Sequence, residues 1–223
     1  MGVLEFLWTA DGVVIEGESS QMLTVTSAHE GKTIAVSARS THETGIVQSV
    51  NDTVINMPPL APIIFTGNNP NNLRAYLAQG DVILQTSGNL GIFAHHSPFV
   101  IPKGRTLTVV TTLNVQGNAE LIIEGTLVVQ NGGRVNNQGG AGGTIRIAPS
   151  GVLENHGHVE NVTNSTLVNY GTIDNRARFE IRAGTTFHDC GLIVEGEGRV
   201  QLNIHRNAEI IRCENCEDPV VGS

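Results

Sequence analysis

The sequence predicts an all-β chain in two parts, a short strand-and-turn unit followed by a three-faced parallel β-solenoid of six to seven coils. Three observations carry this. The 223 residues include 26 glycines and only 15% charged side chains, and they are rich in Thr, Val, Ile and Asn, a mixture that favours strands and tight turns over helices. The segment Met57-Pro58-Pro59-Leu60-Ala61-Pro62 interrupts regular pairing, because proline has no N–H to donate. From residue 81 onward, short strands punctuated by Gly and Asn recur with a period near twenty.

The first part, 1–57, reads as strands separated by turns. Leu4 to Thr9 is an apolar run ending at Asp11-Gly12, a hairpin signal. Val13 to Ile15, Leu23 to Thr26, Thr33 to Arg39 and Ile46 to Ile55 follow as short strands in which Val, Ile and Thr alternate with polar positions. Residues 58–70 form a Pro-rich linker and 214–223 a tail.

Residues 8–17, 23–26 and 31–36, from Trp8-Thr9-Ala10-Asp11-Gly12 to Gly31-Lys32-Thr33-Ile34-Ala35-Val36, resemble the C-terminal part of the immunoglobulin-like repeats of bacterial surface proteins and phage virion proteins. The match covers about fifty residues. It implies a partial immunoglobulin-like sandwich, two packed sheets around a buried tryptophan. The family carries two more strands before this Trp, whereas seven residues precede it here. A sheet lacking those strands leaves an unpaired edge, which recruits a partner. A homo-oligomer, a trimer foremost, is therefore expected, or a strand from another protein of the same assembly.

In the second part, one set of strand starts is Thr126, Thr144, Thr166, Thr186 and Ala208; a second is Arg134, Val152, Thr172 and Leu192; a third is His158, Arg178 and Arg199. Three interleaved series with one period mean three strands per coil, and each coil buries its inner face only against its neighbours. Leu127 and Val129, or Ile145 and Ile147, are the inward positions. Asn155 and Asn175 fall at equivalent places, as a stacked amide ladder requires. The run Gly139–Gly143 stands where a third strand is missing, so that coil is expected to be short. Residues 71–80 form the one helix expected, with Leu73 and Leu77 as its apolar stripe, capping the first coil. This start resembles that of pectin-lyase-like right-handed β-helices, whose fold it implies.

Function classes are narrowed by what the chain lacks. With 13 Lys+Arg against 21 Asp+Glu there is no basic stripe for nucleic acid, and no apolar run approaches the ~18 residues of a membrane span. Met1-Gly2-Val3-Leu4-Glu5 has no basic region leading into an apolar core, so no secretory leader is expected there. A polysaccharide-cleaving enzyme needs clustered carboxylates. Glu154 and Asp174 occupy equivalent positions of neighbouring coils, yet two stacked acids fit a solvated face equally well. No catalytic residue and no cofactor is assigned.

No metal is assigned either, although His156 and His158 are candidates: the spacing His156-Gly157-His158 resembles the iron-binding dipeptide of some trimeric phage spikes. His95 and His96 point to opposite faces if extended. Cys213-Glu214-Asn215-Cys216 has the spacing of half a zinc site, which Cys190 with His188 or His205 would complete. The simpler reading is a disulfide. Cys190 and Cys213 lie on one face of adjacent coils, and strands ~4.8 Å apart suit a disulfide's Cα separation. Cys216 then serves as an interchain thiol. Cys213 with Cys216 is the alternative pairing.

The function expected is that of a non-enzymatic structural or attachment protein of a tailed-phage virion, a head decoration, fibre or spike, possessing a receptor or surface glycan as partner. The alternative is a stalk or adhesive module of a bacterial cell-surface protein in the extracellular space.

Overall fold

The computed structural model describes residues 4–29, 31–40, 46–48, 53–54, 61–138, 141–194 and 196–213. The chain divides into two units, Met1–Pro59 and Leu60–Ser223.

In the first unit the described strands form one antiparallel sheet. Leu4–Ala10 pairs along its length with Thr33–Ser40, from Leu4 opposite Ser40 to Ala10 opposite Ile34. The hairpin expected at Asp11-Gly12 is present: both residues have positive φ, 51° and 80°, as a type I′ turn demands, and Val13–Val14 returns against Thr9 and Ala10. The Asp11 carboxylate accepts from the Thr33 backbone N–H at 2.9 Å. Ile46–Gln48 and Thr53–Val54 both pair with Thr33–Ser40. Leu23–Thr26 is not a strand. Thr26 instead accepts from the His29 N–H and donates its own N–H to His29 Nδ1, winding Ser27–His29 into a 3-10 turn. No second sheet faces the first among the described residues, and Trp8 is accordingly half-buried, its Nε1 donating to Ser20 O.

The second unit is a parallel β-solenoid of about seven turns, with three sheets of seven, six and six strands. The first face stacks Ile63–Phe65, Val82–Leu84, Thr106–Val109, Thr126–Val129, Val152–Asn155, Thr172–Asn175 and Leu192–Val194. The second stacks Asn89–Ile92, Thr112–Val115, Arg134–Asn137, His158–Asn161, Arg178–Ile181 and Asn203–Ile204. The third stacks Phe99–Ile101, Glu120–Ile123, Thr144–Ile147, Thr166–Asn169, Thr186–Asp189 and Glu209–Arg212. The strand Ile63–Phe65 lies inside the segment read as a linker, and it pairs in parallel with Val82–Leu84.

Alternation along each strand makes the core. Val82, Leu107, Leu127, Leu153, Ile173 and Ile193 stack in register as one inward column of the first face, and Phe99, Leu121, Ile145, Leu167, Phe187 and Ile210 as one of the third. Each fully buried aliphatic side chain contributes roughly 1.5–3 kcal/mol. Stacking leaves no room at some corners: a Cβ on Gly151 would lie 1.9 Å from Ile123 O, and one on Gly171 2.3 Å from Gly151 O.

The helix spans Pro70–Leu77, begins one residue earlier than read, and is capped by Asn69, whose side chain accepts from Asn71 N at 2.9 Å. Pro70 sits in the first turn, where its missing N–H costs nothing. Leu73 and Leu77 are fully buried against the first coil's core.

The coil at the glycine run is not short. Thr126–Val129, Arg134–Asn137 and Thr144–Ile147 are all present, Thr126 pairs with Val152 26 residues on, and Arg134 with His158 24 residues on. The extra residues go into the corner before Thr144. There Gly142 and Gly143 are packed so closely that a Cβ would meet Asn164 O of the next coil at 2.0 Å and Asn137 Oδ1 of the preceding strand at 2.5 Å.

Candidate functional site

The second face carries the densest arrangement of functional groups. Its strands place Arg134, His158 and Arg178 in one outward column and Asn114, Asn136, Glu160 and Glu180 in another. Arg134 donates to Asn136 Oδ1 and Glu160 Oε2, each at 2.7 Å. Arg182 donates to Glu160 Oε1 and, at 3.1 Å, to Glu180 Oε2. Arg178 donates to Glu180 Oε1 at 2.8 Å. Two carboxylates are thus held by three guanidiniums. For each carboxyl, burial alone would raise the pKa, but the arginine hydrogen bonds and charges outweigh it and hold Glu160 and Glu180 below their ordinary value.

His158 stands 3.5 Å from Glu180 Oε2. Burial, then the charges of Arg134 and Arg178, push its pKa down despite the two acids. His158, Glu160 and Glu180 present ligand atoms within 4.8 Å of one another, but a dication there would have to displace three arginines from the same oxygens. The cluster is an ion-pair ladder in its chemistry.

The same face carries two amide ladders. Asn136 Nδ2 donates to Asn114 Oδ1 at 2.9 Å, and Gln138 Nε2 to Gln116 Oε1 at 3.3 Å. Inside the solenoid, Asn155 donates to Asn175 Oδ1 as the spacing predicts. A second internal pair that the sequence reading missed joins Asn137 Nδ2 to Asn161 Oδ1 at 2.6 Å. Asn155, Asn161 and Asn169 occupy the last inward position of all three strands of one coil, and all three are buried.

Glu154 and Asp174 are register neighbours on the first face. Asp174 accepts from Arg176 at 2.9 Å and from Arg199 at 3.0 and 3.2 Å. The Arg176 hydrogen bond, and then that of Arg199, hold its carboxyl below the usual range against the opposing effect of burial. A general acid needs the opposite shift. His156 and His158 are not brought together. His156 Nε2 lies 4.0 Å from Glu154 on the first face, and His158 faces Glu180 on the second.

His95 and His96 do not point to opposite faces. Ala94–His96 is a 3-10 turn, and the two rings lie 3.9 Å apart.

Cys190 and Cys213 are joined, with Cα atoms 4.9 Å apart. This withdraws both from the zinc set considered with His188 or His205. Cys216 lies outside the described residues.

No protein-family model, curated protein or solved structure matches the chain.

Proposed function

We propose that this chain is a non-enzymatic structural and attachment component of a tailed-phage virion, with the stalk of a bacterial surface protein as the second reading. The observation that carries it is the outer face of the solenoid, where Glu160, Glu180 and Asp174 are each committed to two arginines. Such acids are poised neither as general acid nor as open metal ligands, and Glu160 and Asp174, each bonded to an arginine of a neighbouring coil, clamp consecutive coils together. Lateral clamps, an internal amide ladder and a disulfide across the last coils suit a part whose work is to keep its shape. The disulfide also fits an oxidising setting, outside a cytoplasm, which both readings share.

The first unit fits the sheet of a partial immunoglobulin-like sandwich. Leu4 to Leu7 carry no strand on one edge among the described residues, and Leu4 and Leu7 are exposed there. That edge supports association with further copies, a trimer foremost.

Two measurements test these readings. Quantitative mass spectrometry of purified virions and of host envelopes should find the chain in virions at a fixed ratio to capsid protein. Its appearance in envelopes alone would overturn the virion reading in favour of the stalk. Native mass measurement should give three copies, and a monomer at micromolar concentration removes the trimer.

A further inference from the structure

We propose that the groove between the capping helix and the N-terminal end of the second face binds a neutral oligosaccharide. The inference deepens the attachment role and rests on that reading.

The groove is an open depression of about 670 Å³, and its lining includes Asn71, Asn89, Phe93, His95, Asn114 and Gln116 and no Asp, Glu, Lys or Arg. Phe93 is 43% exposed. His95 stacks on it, the rings 5.9 Å apart and only 5° from parallel. The exposed Phe93 ring offers the apolar face against which a pyranose C–H face packs, its negative face towards those C–H groups.

Amide groups surround the ring, and two of them arrive with a defined polarity. Asn136 donates to the Asn114 oxygen and Gln138 to the Gln116 oxygen. In both ladders the oxygen is used on the far side, which leaves the amide N–H groups of Asn114 and Gln116 out of the ladder, and both residues line the groove. Donors at the end of an aligned chain of hydrogen bonds are strengthened by it. The next position in the Asn114 column is Gly91, which has no side chain to receive them. A Cβ on Gly91 would lie 3.0 Å from Gln116 Nε2 and 2.8 Å from the Phe93 ring. The glycine makes room for the Phe93 ring and the Gln116 amide, and any side chain at 91 would push both out of place.

Amides both donate and accept, and so do sugar hydroxyls. Uronates, sialic acids and phosphates want guanidinium or ammonium partners, and the lining has none. His96 supplies no cation at neutral pH either: burial, then the neighbouring His95 and Arg74, lower its pKa.

The test uses the full chain with mannohexaose, cellohexaose and hexagalacturonate as probes, read by saturation-transfer NMR and titration. One of the neutral hexamers should bind with a dissociation constant on the order of 1 mM, as about a dozen contacting atoms allow, and hexagalacturonate should bind more weakly. Phe93→Ala removes the apolar face and should weaken binding about tenfold. Gly91→Asn displaces the Phe93 ring and the Gln116 amide and should abolish binding, while both variants keep a cooperative unfolding transition. Failure of both neutral hexamers to bind, binding unchanged in both variants, or preference for hexagalacturonate would each overturn the assignment. A chain found in virions that binds neither neutral hexamer sinks the groove alone. A chain that binds and cleaves the sugar sinks the non-enzymatic reading alone.

Discussion

Asn155 gives a side-chain N–H to Oδ1 of Asn175 at 2.7 Å, in an interior where neither side chain has any exposure. The same Asn155 nitrogen reaches Arg178 O at 3.0 Å, and its oxygen accepts from Gly157 N at 3.1 Å. One side chain thus satisfies the next coil and its own corner together. Its register neighbour in the preceding coil, Val129, shows that an aliphatic group fits the column. Asn155→Val should therefore change shape little and leave three polar groups without a partner. We expect a loss of about 3 kcal/mol in denaturant unfolding. A loss below about 1 kcal/mol would show that the amide ladder does not hold these coils.

Asn169 and Asp189 are also register neighbours, and Asn169 Oδ1 is buried with no donor. Burial pushes the Asp189 carboxyl up, against the opposing charge of Arg212. A folded pKa above the unfolded one means that stability from this group is present at low pH and is lost as pH rises through the folded value. Asp189→Asn supplies a permanent donor to Asn169 and should stabilise the protein by about 1 kcal/mol at pH 7. The gain should shrink in acid. Destabilisation at pH 7 would mean that the Arg212 attraction dominates.

The outer carboxylates respond in the opposite sense. Glu160, Glu180 and Asp174 have lowered pKa values, so their contribution is complete above about pH 5 and falls away below the unfolded values near 4. His158, also lowered, begins the loss earlier. Below about pH 6.5 the unfolded chain takes up a proton that the folded one refuses. Unfolding midpoints measured from pH 7 to pH 3 should fall throughout. In Glu160→Gln the acid limb should be shallower and the pH 7 value lower. A flat profile would show these ion pairs to be decorative.

The link between Cys190 and Cys213 spans 23 residues, and a loop of that size stabilises by about 3 kcal/mol in the chain-entropy view. Cys190→Ser should expose amides of residues 203–212 to hydrogen exchange while those of 106–175 stay protected, because each coil depends only on its neighbours. Uniform loss of protection along the solenoid would contradict this.

The parts of this molecule legible in the sequence are those set by the inward alternation and by simple spacing. Leu127, Val129, Ile145 and Ile147 read correctly as core, and Asn155 with Asn175 as a ladder. The phase of the coils was less legible. Thr126 belongs with Val152 and Thr172, and Arg134 with His158 and Arg178, but corners of unequal length slide the series past one another. With Arg134 in the wrong column, the ion-pair ladder around Glu160 could not be assembled on paper. The close-packed corner glycines, such as Gly151 and Gly171, were a usable signal, since each directly precedes a strand of the first face. In the first unit, alternation at Leu23–Thr26 suggested a strand, but a local His29 contact to Thr26 took up the same backbone group.

The stacking of Gly151 and Gly171, each immediately before a first-face strand, makes one coil interchangeable with the next. Excising residues 152–171 would join Gly151 to Thr172 and set Thr172 where Val152 had paired with Thr126. The solenoid would shorten by one strand spacing, about 4.8 Å, with its two ends otherwise unchanged. Its length is a ruler graduated in whole coils: duplication or loss of some twenty residues moves the sugar groove and the disulfide-bonded end apart or together by a fixed step, and nothing else about either end has to change.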